Sequence, residues 1–314
     1  MASQAVVFLS LFEKIKFYKW GLVLMFCVPP LWTAAQSDST YTSALLVNII
    51  GTEYRQLQSS INNQVYELYI ALPDAYGSSD TLYPVLYLTD GNTQFGIASD
   101  ITRSLQWVDQ IPDMIVIGIG YPISQYEDED ERWNKWLAWR MRDLSPTNTK
   151  GSDDAFSVDG IKSGGGKEFL SVLRDEIIPF VESEYKARKD QRTYWGFSLG
   201  GLFGLYTMFE QPDLFENLII GSASIWYDDK LIIKNENLYR ETYDDMEVRL
   251  FMSVGELEEE ITSGMVRNTL ELGSLLKSRN YPGLQMKTEI LGGEDHMTAP
   301  SRSLLQGLKF VYAK

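Results

Sequence analysis

Short runs that are apolar at nearly every position alternate with stretches of helical spacing along most of the chain. Residues 84–89 and 114–120 are of the first kind and end in turn residues, as strands buried on both faces of a parallel sheet do. Residues 218–221, 248–255 and 284–291 are expected as further strands. Residues 64–73 differ: Val65, Glu67 and Tyr69 alternate with Tyr66, Leu68 and Ile70, which predicts a half-buried antiparallel strand. A first strand is expected over residues 44–50, with a turn at Asn62-Asn63 between the two. Helices are expected over residues 95–108, 168–186, 202–209, 265–277 and 301–312; in the second of these Phe169, Leu170, Leu173, Ile177, Ile178 and Val181 share one face. Strands alternating with helices imply an α/β fold built on a mostly parallel sheet.

Two regions break the pattern. In the first 35 residues Lys14, Lys16 and Lys19 precede an apolar run from Trp20 to Trp32, and Thr33-Ala34-Ala35 then supplies small residues. This is the order of a secretory signal, and the apolar run is short for a membrane span; an uncleaved N-terminal anchor is the alternative. Residues 36–50 read as a linker and first strand, and residues 51–314 as the catalytic domain. Residues 121–166 are the least regular part of that domain, a lid-like insertion. They hold an acidic run at residues 127–131, read as a solvated face, and Trp133, Trp136 and Trp139 at a spacing that puts them on one helix face. Packing of the insertion against the body is weighed for these tryptophans beside contact with substrate.

Composition narrows the function. The net charge is −15, and the first 35 residues carry three lysines against Glu13, so the rest is more acidic still. Nucleic acid and anionic membrane surfaces are therefore excluded as partners, and a strongly anionic substrate is disfavoured. Cys27, the single cysteine, lies in the signal-like segment, so the remainder has neither disulfide nor thiol nucleophile. An exported protein without disulfides suits a bacterial periplasm or the extracellular space. His296 is the single histidine, which argues against a histidine-based metal site.

The candidate chemistry centres on Gly196-Phe197-Ser198-Leu199-Gly200, between a β-type run (Thr193 to Phe197) and a run of helix formers. Gly-x-Ser-x-Gly on a strand-to-helix turn is the nucleophile elbow. The bare motif arises by chance in roughly one chain in ten of this length, so the other parts must be found. His296 follows the last strand in a glycine-rich loop downstream of the serine and is the one imidazole able to activate it. The acid is expected after the strand at residues 248–255, where Glu256, Glu258, Glu259 and Glu260 stand. A position three residues beyond Gly255 selects Glu258, with Glu256 and Glu259 left open and Asp228, Asp229 and Asp295 as weaker rivals. The oxyanion hole needs two backbone N–H groups. Leu199 supplies one and Asn92, after Asp90-Gly91, the other, with Gly91 letting the backbone turn toward the site.

Taken together, Tyr83-Pro-Val-Leu-Tyr-Leu-Thr-Asp-Gly91, Arg142-Asp-Leu-Ser-Pro146, Ser163-Gly-Gly-Gly166, Gly196 to Tyr206, Ser222-Ala-Ser-Ile-Trp226 and Val254-Gly-Glu-Leu-Glu258 resemble the putative-esterase family of α/β hydrolases. Within it the likeness is to the ferri-siderophore (enterochelin or bacillibactin) esterase branch, and it runs from about Gly51 to the C-terminus. The resemblance implies an α/β-hydrolase fold with Ser198 as nucleophile, His296 as base, and Leu199 and the residue after Asp90-Gly91 as oxyanion donors. It is consistent with a glutamate in the 256–260 cluster, although some siderophore esterases rely on a Ser–His pair. It makes Arg142 a substrate-side or loop-bracing cation, beside a structural pairing with Asp143, and places Trp226 among substrate-binding candidates. Phe197 departs from the family's common histidine and Ser145 from its common threonine. The expected activity is that of an exported serine esterase acting on a small-molecule or oligosaccharide ester, without cofactor or metal. The alternatives are a carbohydrate acyl esterase (acetyl or feruloyl) and an acyltransferase on the same fold. Arg140, Arg142, Lys150 and Lys162 are the cations that could build a pocket for an anionic siderophore.

Overall fold

The computed structural model describes residues 49–78, 80–149, 160, 162–261 and 264–313. The expected signal segment, the linker, most of the expected strand at 44–50, and Lys150 lie outside these residues. Residues 1–50 separate from a unit that begins at Gly51 and holds every element described below.

Eight strands form one sheet in the order β1-β2-β4-β3-β5-β6-β7-β8. They are β1 (Thr52–Gln58), β2 (Val65–Ala71), β3 (Tyr83–Leu88), β4 (Ile115–Gly120), β5 (Ala187–Phe197), β6 (Asn217–Gly221), β7 (Arg249–Gly255) and β8 (Gln285–Leu291). β1 and β2 pair antiparallel, as do β2 and β4, and every other pairing is parallel. The helices are α1 (Gly91–Trp107), α2 (Glu129–Leu144), α3 (Gly166–Val172), α4 (Ile178–Glu184), α5 (Leu199–Glu210), α6 (Tyr227–Thr242), α7 (Glu258–Ile261), α8 (Met265–Arg279) and α9 (Ala299–Val311). This is the expected α/β-hydrolase architecture.

Burial explains why β3, β4 and the core of β6 read as apolar runs. On one face Leu86, Leu88, Val116, Trp195, Ile219 and Phe251 pack with Ala98 and Leu105 of α1 and Leu304, Leu308 and Val311 of α9. On the other, Tyr87, Ile117, Tyr194, Ile220 and Met252 pack under α2 to α6 and α8. A strand covered on both sides has no solvent face on which to place polar residues. β2 shows the expected alternation, with Tyr66, Leu68 and Ile70 fully buried. Its other face is less exposed than expected. Glu67 is buried too, because it accepts hydrogen bonds from Tyr54 Oη (2.8 Å) and Tyr69 Oη (2.5 Å).

Four expectations need correction. Ile49-Ile50, the described end of the first expected strand, are exposed and outside any strand, and the edge strand is β1. Most of its residues face solvent, so it carries no apolar signature. Secondly, residues 121–166 contain the 16-residue helix α2. The acidic run is the start of that helix: Asp128 accepts from the Glu131 N–H at 2.7 Å, and Glu129, Asp130 and Glu131 fill the first turn, where carboxylates complement the helix dipole. Trp136 and Trp139 are half-buried against the core while Trp133 stays exposed. Thirdly, the helix expected over 168–186 is broken by a π-helical turn, Leu173–Ile177, between α3 and α4. Finally α6, largely polar, goes unannounced in the sequence; it buries Tyr227, Ile232, Glu236 and Tyr239.

Candidate active site

β5 delivers the elbow at its carboxyl end, in the middle of the sheet. Ser198 has φ 59° and ψ −117°, a conformation that an L-residue adopts at a cost of about 1–3 kcal/mol and that persists only where the surroundings over-determine it. The surroundings do so here. The Ser198 N–H donates to Gly221 O (2.9 Å), and Ser198 O accepts from Leu202 N (3.0 Å) and Ser224 N (3.1 Å). A Cβ on Gly196 would collide with the Gly200 carbonyl, so the turn requires glycine there. α5 starts at Leu199, which places the Leu199 N–H among the first-turn donors of the helix, where an intrahelical acceptor is lacking.

The second donor loop follows β3. Here the expected reason for glycine is corrected. The left-handed residue is Asp90, with φ 59° and ψ 34°, rather than Gly91. Gly91 is required because a Cβ on it would stand 2.8 Å from the Gly118 backbone. Asn92 sits in the first turn of α1. Its side chain grips Tyr121 in both directions: Nδ2 donates to Tyr121 O (2.8 Å), and Oδ1 accepts from Tyr121 N (2.8 Å). The side chain thus anchors the loop, and the backbone N–H is the group available as a donor.

Arg140 joins the two loops. Its Nε and Nη2 donate to the two oxygens of Asp90 at 2.7 and 2.9 Å, and Nη2 also donates to Phe197 O, next to Ser198, at 3.2 Å. Its guanidinium lies over the Trp136 ring. Both charges of the pair are buried, 9% and 5% exposed, so removing one leaves the other uncompensated. Arg140→Met is expected to lose about 3–5 kcal/mol of stability in urea unfolding. Asp90→Asn combined with it should recover part of that loss, whereas independent additive losses would show that the pair does not act as a unit.

Arg142 lies on the other side of α2. It forms a bidentate pair with Asp143 (2.6 and 2.9 Å) and donates through Nη1 to Gln64 Oε1 (2.8 Å), while Tyr66 Oη also donates to Asp143 (3.0 Å). Burial by itself would lower the Arg142 pKa, but the hydrogen bonds and charge of Asp143 outweigh it and hold the group above its ordinary value. Both arginines proposed for a cationic pocket are thus neutralised by carboxylates, and Lys162 is exposed.

The histidine end selects one glutamate. Glu258 Oε2 lies 2.6 Å from His296 Nδ1. Its other oxygen accepts from Ser222 Oγ (2.6 Å) and from the Gly255 N–H (2.9 Å), and the carboxylate is buried. The rivals are engaged elsewhere. Glu256 accepts from Gly293 N, Glu259 from Arg267 N, and Asp228 from Thr147 Oγ1. Asp229 pairs with Lys234. Asp295 accepts from the N–H groups of Met297 and Thr298, which pull its pKa below the usual range. The Glu260 side chain lies outside the described residues. The His296 ring packs against Phe197, centroids 5.0 Å apart, which brings the imidazole beside the residue preceding Ser198. Trp226, half-buried beside Tyr227, ends the loop after β6, two residues beyond Ser224, whose N–H bonds Ser198 O. Leu257 and Met297, next to Glu258 and His296, are largely exposed.

Two residues escaped the sequence reading. The sequence puts Arg140 among the pocket cations, whereas its partners come from loops about 50 residues away in either direction. Ser222 stood in a motif with no role attached; its only signal is a hydroxyl directly after a buried strand, at the end of the sheet where the acid also sits. Among the described residues no group of acidic, cysteine or histidine side chains could hold a metal ion.

Comparison with known proteins identifies the family and agrees with the fold. A family model described as Putative esterase matches residues 59–298. The chain is 27% identical over 271 residues to the ferri-bacillibactin esterase BesA of Bacillus subtilis, covering 84% of this chain and 90% of that protein. It is 25% identical to a siderophore triacetylfusarinine C esterase of Aspergillus fumigatus, covering 73% and 81%. The crystal structure of the BES protein from Bacillus cereus superposes with a TM-score of 0.73 at 27% identity, over 88% of this chain and 100% of that one.

Proposed function

The chain belongs to the putative-esterase family and is an esterase, and from that premise we propose that it is an exported serine carboxylic-ester hydrolase, working through an acyl-enzyme on a small-molecule siderophore-type ester. The observation that carries the mechanism is the fixed Glu258–His296 pair beside the elbow. With Nδ1–H donating to Glu258, the His296 Nε2 is left as the acceptor. It takes the Ser198 proton as Oγ attacks the ester carbonyl, and the carbonyl oxygen becomes an oxyanion facing the Leu199 and Asn92 N–H groups. His296 then returns the proton to the departing alkoxide, leaving the acyl group on Ser198. Water, deprotonated by the same imidazole, releases the acid and restores the serine. No step asks for a metal or cofactor.

Siderophore esters are favoured as substrates because the Bacillus subtilis and Aspergillus fumigatus relatives are named as siderophore esterases. Export is proposed from the signal-like residues 1–35; among the described residues no helix is long and apolar enough to cross a membrane. The test of substrate is a direct comparison of a ferric catecholate trilactone, an acetylated xylo-oligosaccharide and a feruloyl ester. The trilactone is expected to give the highest kcat/KM, and a higher value for either carbohydrate ester would reassign the substrate. Adding alcohols to the assay separates hydrolysis from acyl transfer; hydrolysis is expected to dominate.

A further inference from the structure

Glu67 is a buried carboxylate with no part in the proton transfers at Ser198. It stands on β2, next to β4 in the sheet, and the ring of nearby Tyr69 packs against Phe95 of α1. A buried carboxylate needs donors for its oxygens. Those of Glu67 are neutral groups. Tyr54 Oη donates to Oε1 at 2.8 Å, Tyr69 Oη donates to Oε2 at 2.5 Å, and Asn92 Nδ2 lies 3.4 Å from Oε2. Burial, and then the hydrogen bond and charge of Glu67, push the Tyr69 phenol well up and the Tyr54 phenol to about 12, so both keep the protons they donate.

Glu67 thereby decides what Tyr69 can offer to the oxyanion loop. A phenol has a single proton. Tyr69 gives it to Glu67, so toward Asn92 its oxygen can only accept, and Asn92 Nδ2 donates to it at 3.0 Å. The amide nitrogen of Asn92 must then point toward β2. That orientation leaves its other N–H for Tyr121 O (2.8 Å) and turns Oδ1 to the Tyr121 N–H (2.8 Å). A reversed amide would set its oxygen against two acceptors and its nitrogen against a donor. The chain of bonds ties β2 and the residue after β4 to the second residue of α1, whose backbone N–H belongs to the first turn and lacks an intrahelical acceptor. Its outer end is adjustable: Tyr54 is exposed on β1, and Gln56 Nε2 donates to its hydroxyl at 2.7 Å.

We propose that Glu67 and Tyr69 are positioning residues for ester hydrolysis: by setting the Asn92 side chain they hold the Asn92 backbone N–H where the oxyanion forms. The inference rests on the esterase reading above, with Asn92 as the second oxyanion donor. It adds a support for that donor from a strand that carries no reacting group. A misplaced donor stabilises the transition state less while the substrate binds as before, so the loss falls on kcat.

The test follows one ester and its thionoester counterpart, in which sulfur replaces the carbonyl oxygen. Sulfur accepts hydrogen bonds weakly and stands farther from carbon, so the thionoester gains little from the oxyanion donors. Tyr69→Phe keeps the ring and removes the hydroxyl. It is expected to lower kcat on the ester by about tenfold, a part of the roughly 10²- to 10³-fold that loss of a whole oxyanion donor costs, with KM within about twofold of the parent. The thionoester rate should also stay within about twofold, so the ester-to-thionoester ratio falls by about tenfold. Glu67→Leu frees the Tyr69 proton and should lower the ratio as far. Glu67→Gln should restore most of it, because the amide oxygen can accept from Tyr69 while the NH2 faces Tyr54, which can turn its own O–H to solvent. Tyr69→Phe decides the matter even if Glu67→Leu fails to fold. An unchanged ester kcat in Tyr69→Phe, ester and thionoester rates that fall together, or a Glu67→Gln no better than a folded Glu67→Leu would overturn the positioning role and leave the esterase intact. A parent protein inactive on the ester would instead remove the esterase reading.

Discussion

Ser198→Ala is expected to lower the hydrolysis of p-nitrophenyl acetate by at least about 10⁴-fold, the scale on which loss of a catalytic serine is felt. Folding should be unaffected. The substitution removes one oxygen and keeps the Cβ, and the hydrogen bonds that fix the elbow use the backbone of Ser198, through Gly221, Leu202 and Ser224. Thermal unfolding within a few degrees of the parent, together with the lost rate, separates a catalytic role from a structural one. An alanine variant that kept its rate would remove Ser198 from the mechanism.

Glu258→Gln is expected to reduce kcat by about 10³- to 10⁴-fold, and the reason lies in its second oxygen. Ser222 Oγ and Gly255 N both donate to Oε1. In a glutamine the amide oxygen occupies that position, because an NH2 group there would face two donors. The NH2 is then turned toward His296 Nδ1, which must accept instead of donate. The imidazole proton moves to Nε2, and the ring can no longer take a proton from Ser198. Glu256→Gln and Glu259→Gln, whose hydrogen-bond partners are backbone N–H groups that an amide oxygen satisfies equally well, and of which Glu259 adds only an exposed ion pair with Arg267, should stay within about threefold of the parent. Steady-state rates of the three variants at one pH decide the matter, and a larger loss in either flanking variant would move the acid.

The legible parts of the fold were those whose signal is local. β3, β4 and β6 are covered on both faces, so every residue in them apart from Asn217, which opens β6, is apolar or small. The elbow announces itself because its geometry forbids Cβ atoms. Glu258 could be placed by counting from Gly255, since a short turn leaves few positions whose side chain points back to the sheet. What was not legible depends on partners far along the chain. β1 is defined by its pairing with β2 and exposes most of its residues, so its composition resembles a loop. The run at residues 127–131 reads as a charged surface until Asp128 is seen to cap a helix. Arg140 and Arg142 differ by two positions and point to opposite sides of α2. One ties Asp90 to the elbow and the other pairs with Asp143 beside β2, a division that depends on tertiary contacts alone. Ser222 is similar: its hydroxyl matters only because β6 and β7 are neighbours, which brings it to Glu258.

The central claim is that Ser198, activated by His296, forms the covalent intermediate. Its most direct test is stoichiometric inactivation by a serine-reactive fluorophosphonate, followed by mass analysis of the peptides. Loss of ester hydrolysis in proportion to a single adduct on Ser198 is the result predicted. Complete inactivation with Ser198 unmodified, or full activity with Ser198 occupied, would contradict it.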